Sequence, residues 1–160
     1  MSRYLVYVDG ACSHNGNDAR AVTTGSFAVY GLPDGMGAIG RDAAFHEMVL
    51  ALEPLEHQSR FIVHPPPGAR PTNNIAEALS LQTALAWCLE EGILSQGNHV
   101  TVCMDSQLTL NQFAGLCRIN VPVLRKAHRD MHAMLDRRSG AMLKLVWIPG
   151  AVMKGTIIGH

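Results

Sequence analysis

The chain has 160 residues, of which 48% are hydrophobic, and its formal net charge at pH 7 is zero. This composition excludes a disordered chain, because such chains combine low hydrophobicity with high net charge. The length suffices for one domain with a sizeable core, and no apolar run approaches the roughly 18 residues that span a membrane. A neutral balance is only weak support for a nucleic-acid-binding protein, for which a strongly basic chain is the usual sign.

We expect a single domain over residues 1–160, monomeric and cytoplasmic, or one domain of a larger polypeptide. A predicted strand begins at Arg3, so we expect no hydrophobic leader of the secretory type. The cysteines have no CxxC spacing, so we predict reduced and mostly buried thiols rather than a zinc site or a disulfide framework. Residues 118–138 contain six basic residues against two acids, which predicts a one-sided basic face or, alternatively, a solvated helix.

The sequence predicts mainly strands in the first half of the chain. Residues 3–9 alternate and are rich in β-formers, which predicts a strand. Residues 21–31 are predicted to form a second strand before a turn at 32–35. Between them, residues 10–18 are rich in turn formers. We predict a third strand over 45–52 and an extended connection over 59–71, which contains three consecutive prolines.

The second half alternates between helices and strands. Helices are predicted over 75–91, with a cap among Thr72, Asn73 and Asn74, and over 106–116 and 122–137. Short apolar strands are predicted over 99–104 and 142–148. Three strands followed by helices and two further strands indicate an α/β protein in which helices pack on a mixed sheet.

Three acidic residues fall at junctions of these elements. Asp9 ends the first predicted strand beside Gly10, where the backbone can approach a ligand closely. Glu77 lies in the first turn of the first helix. Asp105 follows the strand 99–104 and precedes Ser106, a candidate cap of the next helix. Carboxylates that converge repel one another unless a cation lies between them. Oxygen ligands without Cys or His favour Mg²⁺ or Mn²⁺, so the three acids form a candidate metal site.

Four stretches contain or accompany these acids, and they read YVDGACSHNG at 7–16, RPTNNIAEA at 70–78, DSQ at 105–107 and WIPG at 147–150. Together they resemble type 1 ribonuclease H and the ribonuclease H domains of retroelements. Their order and spacing agree with the predicted elements over residues 3–150. The resemblance implies a ribonuclease H-like fold with a five-stranded mixed sheet, three antiparallel strands preceding the parallel ones, flanked by helices.

The resemblance also implies an activity. Members of this family hydrolyse the RNA strand of RNA–DNA hybrids to 5′-phosphate and 3′-hydroxyl ends by a two-metal mechanism. Asp9, Glu77 and Asp105 match the positions that hold two Mg²⁺ ions, with Mn²⁺ as a substitute. The expected partner is therefore an RNA–DNA hybrid.

Further positions match the family's substrate-binding residues. Asn15, Asn73 and Asn74 match residues that read RNA 2′-hydroxyls, a role that suits an amide because it both donates and accepts hydrogen bonds. Gln107 and Cys12 match other hybrid-contacting positions. Arg70 and Thr72 match a pocket that grips a phosphate of the DNA strand.

The match fails after the last strand. The family continues with a His-bearing loop and a helix that carries a fourth acid, whereas Ala151 replaces the loop His and no Asp or Glu follows Asp136. The closing helix is therefore expected to be missing. Three interpretations are open: the natural chain is longer, His160 or its terminal carboxylate substitutes in catalysis, or the second metal binds weakly.

Two other functions share these features. One is a weakened or inactive ribonuclease H-like module that binds hybrid nucleic acid or a protein partner. The other is a DNA nuclease or strand-transfer enzyme on the same fold. Asn15, Asn73 and Asn74 argue against the second of these, because DNA has no 2′-hydroxyl to read.

Overall fold

A computed structural model describes residues 2–13, 21–51, 55–138 and 140–159 of the protein. These residues form five strands and five helices. In chain order they are β1 (Arg3–Cys12), β2 (Thr23–Leu32), α1 (Ala43–Leu50), β3 (Leu55–Ile62), α2 (Asn73–Glu90), β4 (His99–Met104), α3 (Gln107–Phe113), α4 (Pro122–Arg138), β5 (Met142–Trp147) and α5 (Gly150–Lys154).

The strands form one mixed sheet in the order β3-β2-β1-β4-β5. β1 pairs antiparallel with β2, and β2 pairs antiparallel with β3. The pairs β1–β4 and β4–β5 are parallel. β1 is therefore the central strand, which explains its nearly continuous run of buried residues from Leu5 to Val8. The predicted five-stranded mixed sheet is confirmed.

Helices cover both faces of the sheet. On one face α2 contributes Leu81 and Leu85 to a core that also contains Val6 and Val8 of β1. On the other face Val49 of α1 packs in a second core. Alternate side chains of β1 point to opposite faces, so both cores depend on this one strand.

The strand that we predicted over residues 45–52 is wrong, because these residues belong mainly to α1. His46 and Val49 are buried and lie three residues apart, as one face of a helix requires, whereas Met48 is 47% exposed. The Tyr7 hydroxyl hydrogen-bonds His46 Nδ1 and so ties α1 to β1. Apolar content alone did not distinguish this short helix from a strand.

The third strand is instead β3, which includes the start of the segment that we predicted to be an extended connection. β3 lies at the edge of the sheet, and its sequence LEHQSRFI lacks a central apolar run like the FAVY of β2. Its pairing with β2, interrupted by a register shift between Val29 and Tyr30, holds it in place. Edge strands carry polar side chains that discourage further pairing, so the sequence signal is weak.

The segment after β5 forms α5, which is five residues long and carries no acid. Met153 of α5 and Ile158 beyond it are buried in the second core. Within residues 140–159 the only helix is thus a short one. None of the helices in the described part of the chain is both long and apolar enough to cross a bilayer. All four cysteines are free, and only Cys117 is exposed, as predicted.

A close backbone contact joins β1 to α2. A Cβ atom added at Gly10 would lie 2.6 Å from the carbonyl oxygen of Ala76 and 2.7 Å from the backbone nitrogen of Glu77. No side chain fits at this distance, so glycine is required for α2 to cross β1 here. We had expected Gly10 to allow a ligand to approach, but its close neighbour is the helix backbone.

Gly10→Ala should therefore lower the stability of the fold. Overpacking a closely packed site typically costs about 1–3 kcal/mol, and here the obstacle is backbone that cannot rotate away. We expect a lower midpoint of urea unfolding. Gly37→Ala is the matched control, because its added Cβ would meet no atom within 4 Å. Equal midpoints for the two variants would contradict the packing argument.

Candidate active site

The three acids that the sequence singled out converge in the structure. Asp9 comes from β1, Glu77 from α2, and Asp105 from the junction between β4 and α3. One carboxylate oxygen from each lies within 4.8 Å of the others. Asp9 is only 7% exposed, and the other two side chains are half-buried. The chain therefore contains a partly buried acidic cluster.

Asp9 lies within β1 rather than at its end, because the strand continues to Cys12. The Gly10 backbone N–H donates to Asp9 Oδ1 at 3.1 Å. The same glycine admits the backbone of α2 at Ala76 and Glu77. This single contact thus sets both the approach of α2 and the position of Glu77 beside Asp9.

Glu77 is the fifth residue of α2, so our placement in the first turn is wrong; no acid occupies that turn. Burial, followed by the charges of Asp105 and Asp9, raises the Glu77 pKa from 4.5 to about 7, although a hydrogen bond from Ser106 opposes the shift. Glu77 Oε2 is buried and has no hydrogen-bond partner among the described residues. Such an oxygen lacks the compensation that a buried charge requires.

Asp105 is positioned by backbone contacts on both sides. Ser106 caps α3, since its hydroxyl accepts from the Thr109 N–H at 3.1 Å, as the sequence predicted. Trp147 Nε1 donates to the Asp105 carbonyl at 3.1 Å. A Cβ atom at Gly150 would lie 3.6 Å from Asp105 Oδ2, so side chains longer than alanine would crowd the carboxylate. The WIPG stretch therefore contacts the cluster directly.

Two asparagines at the start of α2 border the cluster. Thr72 caps the helix by accepting from the Ile75 N–H at 3.2 Å. Asn73 Oδ1 accepts from the Cys12 backbone N–H at 2.8 Å, which links α2 to the end of β1. Asn74 Oδ1 accepts from the Thr109 hydroxyl at 3.3 Å, which links α2 to α3. Both side-chain carbonyls are therefore occupied by internal donors.

Arg70 and Thr72 line a cleft of about 420 Å³ that also includes Asn74 and the start of α4. Arg70 is exposed, and Gln107 is exposed as the first residue of α3. On α4, Arg125 and Arg129 are exposed while Leu124 and Met131 are buried against the protein. Lys126 is exposed as well, but it is paired with Asp130 at 2.6 Å.

Some expected site residues fall elsewhere. Asn15 and His160 lie outside the described residues, and Ala151 is exposed on α5. Sequence reasoning missed two contributors. It recognised Ser106 only as a cap and not as a partner of Glu77, and it did not identify Thr109, which is 35 residues from the asparagine it contacts. No local pattern reports a contact of that separation.

No protein-family sequence model and no curated protein sequence matches the chain. Solved structures do match it. The N-terminal RNase H domain of a Mycobacterium tuberculosis protein, determined as a fusion with maltose-binding protein, is 19% identical with a TM-score of 0.66. The match covers 94% of this chain and 85% of that one.

Two RNase H1 enzymes give similar results. LC11-RNase H1, isolated from compost and solved in complex with an RNA/DNA hybrid, is 20% identical with a TM-score of 0.65, over 91% of this chain and 85% of that one. RNase H1 from the halophilic archaeon Halobacterium salinarum is 20% identical with a TM-score of 0.64, over 93% and 87%. The chain therefore has the fold of type 1 ribonuclease H.

Proposed function

We propose that the protein is a metal-dependent endonuclease that hydrolyses the RNA strand of RNA–DNA hybrids, leaving 5′-phosphate and 3′-hydroxyl ends. The observation that carries the proposal is the convergence of Asp9, Glu77 and Asp105 beside two asparagine amides on this fold. The solved complex of LC11-RNase H1 with an RNA/DNA hybrid supports the choice of substrate.

The acidic cluster fits a hard divalent cation. Its ligand atoms are all carboxylate oxygens, and the buried Glu77 Oε2 has no other hydrogen-bond partner among the described residues. We infer that Asp9, Glu77 and Asp105 hold Mg²⁺, with Mn²⁺ as a substitute and two ions per site. When bound, such ions activate a water for attack and neutralise charge at the phosphate.

The remaining residues bind and orient the substrate in this proposal. Asn73 and Asn74 face RNA 2′-hydroxyls, and Asn15, Gln107 and Cys12 add further contacts to the hybrid. His160 serves as the catalytic group that replaces the family's loop His or fourth acid. The assignments of the Asn, Gln and Cys residues follow the family positions that they match, whereas His160 is assigned as a substitute for a group that the sequence lacks.

In this proposal, positively charged side chains provide the affinity for the DNA strand of the hybrid. Arg70 and Thr72 share one cleft, where a guanidinium and a hydroxyl can hold a phosphate of the DNA strand. The exposed Arg125 and Arg129 of α4 extend the positive charge along one helix face. Binding that depends on phosphate contacts is salt-sensitive.

A second candidate is a module that binds hybrid without cutting it. The observation that favours it is the lack of any Asp or Glu after Asp136, which leaves three acids where the family uses four. A site with fewer carboxylates holds divalent ions less tightly. The two candidates differ in whether bound hybrid is cleaved in Mg²⁺ or Mn²⁺.

Asp9→Asn and Asp105→Asn should each abolish cleavage of a labelled RNA–DNA hybrid. Changes to groups that merely support metal ligands already cost about 10–100-fold, so loss of a ligand charge should cost at least about 100-fold. The assay compares the hybrid with double-stranded RNA and DNA in Mg²⁺, Mn²⁺ and EDTA. Only the RNA strand of the hybrid should be cut.

Asp34→Asn is the control for that experiment, because Asp34 is an exposed turn residue outside the cluster. It should cleave at the wild-type rate, and all variants should keep the wild-type circular dichroism spectrum. Wild-type protein that binds hybrid but leaves it intact in both metals would favour the binding module. Wild-type protein that neither binds nor cuts hybrid would overturn both candidates.

Arg70→Gln should weaken hybrid binding and make it less sensitive to salt. Removing one phosphate contact reduces the slope of log affinity against log salt by about one. The measurement is a fluorescence titration at several KCl concentrations. Arg41→Gln serves as the control, since Arg41 is exposed and precedes α1 on the opposite face of the sheet. An unchanged slope for Arg70→Gln would remove Arg70 from the phosphate site.

The raised pKa of Glu77 predicts a pH-dependent loss of stability in the metal-free protein. Between pH 4.5 and about 7 the folded protein binds the Glu77 proton more tightly than the unfolded chain does. The Glu77 contribution therefore makes folding less favourable as pH rises through this window. We expect the Tm of the wild type to fall relative to that of Glu77→Gln over the same window.

The comparison of the wild type with Glu77→Gln isolates the Glu77 contribution, because all other titrating groups are common to the two proteins. His128 is one of them: burial lowers its pKa to about 4, so its contribution to stability rises with pH and has the opposite sign. Added Mg²⁺ should raise the wild-type Tm more than that of the variant, because the ion binds the native state. Parallel curves of Tm against pH would refute the electrostatic account of the site.

A further inference from the structure

Thr109 is a buried residue of α3 whose hydroxyl connects two parts of the site. Its exposed fraction is 0%, and its hydroxyl donates to Asn74 Oδ1 at 3.3 Å. The Ser106 hydroxyl oxygen lies at hydrogen-bonding distance from Thr109 Oγ1, 2.9 Å away. Ser106 also accepts from the Thr109 backbone N–H at 3.1 Å, so the two residues bond to each other twice.

The hydrogen bond between Thr109 and Asn74 has only one possible donor. A carbonyl oxygen accepts and cannot donate, whereas a hydroxyl has a single proton. The Thr109 proton is therefore directed to the Asn74 carbonyl. The Asn74 oxygen is then occupied from the protein interior. The NH₂ group of Asn74 is then the part of the amide that remains available to bind a ligand.

We propose that Thr109 is a positioning residue for substrate recognition: it fixes the Asn74 amide so that Asn74 meets the hybrid as a hydrogen-bond donor. The inference rests on the proposed function, because it assumes that Asn74 faces the hybrid. The Asn74 NH₂ group then donates a hydrogen bond to the oxygen of a 2′-hydroxyl, and Asn74 does not accept the proton of that hydroxyl.

The orientation matters because an amide can rotate by a half turn with little change in shape. The minor groove presents acceptor atoms at every base pair in addition to the 2′-hydroxyls. An NH₂ group is compatible with both kinds of acceptor. A rotated amide would direct its carbonyl oxygen at the base acceptors, where lone pairs repel. The Thr109 hydroxyl disfavours that rotation, because the NH₂ group would then face Thr109 Oγ1 and the proton of this buried hydroxyl would lose its acceptor, Asn74 Oδ1.

The test compares Thr109→Val, which removes the hydroxyl at nearly constant volume, with Thr109→Ser, which keeps it. We expect Thr109→Val to raise KM for the hybrid roughly three- to tenfold, the effect of one hydrogen bond, with kcat nearly unchanged. Thr109→Ser should retain the wild-type KM. Thermal melts check folding, and Thr109→Ala replaces Thr109→Val if the valine variant does not fold.

A double-mutant cycle decides whether Thr109 acts through Asn74. In an Asn74→Ala background, Thr109→Val should have no further effect on KM. An equal rise in both backgrounds would overturn the proposal, as would an unchanged KM in Thr109→Val or a serine variant that behaves like valine. A merely structural role would lower the Tm without this dependence on Asn74.

An NMR measurement separates this proposal from the proposed function. The side-chain NH₂ resonances of Asn74 should shift in Thr109→Val and remain in place in Thr109→Ser, with no substrate present. Unchanged resonances in Thr109→Val would overturn the positioning role, whatever the activity. Shifted resonances in a protein that does not bind hybrid would overturn the proposed function and the recognition role, while the orientation of the amide would stand.

Discussion

The close approach of α2 to β1 at Gly10 is the constraint on which the site depends. A helix backbone within van der Waals distance of a central strand leaves no room for a side chain, so only glycine permits it. The approach places Glu77 beside Asp9. Because β4 pairs parallel with β1, Asp105 emerges at the same end of the sheet. Three carboxylates from distant parts of the chain thus meet because two strands and one helix pack in a single way.

Convergence of these acids has an electrostatic cost that the protein only partly compensates. The Gly10 N–H stabilises Asp9 and Ser106 stabilises Glu77, yet the pKa of Glu77 remains near 7. Burial and the neighbouring charges outweigh the single hydrogen bond. A cluster arranged for internal stability would give Glu77 a cation or more donors, whereas its Oε2 atom has no hydrogen-bond partner among the described residues. The unfavourable arrangement is typical of a site that is completed by a ligand.

The residues around the acidic cluster each have more than one structural role. Cys12 and Thr109 each donate to one asparagine carbonyl, which joins the start of α2 to β1 and to α3. Thr72 and Ser106 cap the two helices that bring these side chains together. Capping, inter-element bonding and amide orientation therefore use the same few residues. A change at any of them alters both the packing of the helices and the surface that meets a ligand.

The sequence by itself determined the features that depend on neighbouring residues. The central strands, a cap of α2 among Thr72, Asn73 and Asn74, the Ser106 cap of α3, and the placement of Asp105 between β4 and α3 follow from local patterns. The five-stranded topology was predicted through the family resemblance, and the structure confirmed it.

Only the tertiary structure decided the rest. α1 was mistaken for a strand, because eight residues of mixed apolar content fit either period. β3 was only partly recognised, because an edge strand is held by its partner and not by its own pattern. The roles of Gly10 and Thr109 depend on residues far along the chain, Ala76 and Asn74. Local propensity reaches a few residues in either direction, whereas these contacts exist only after the sheet and helices have packed.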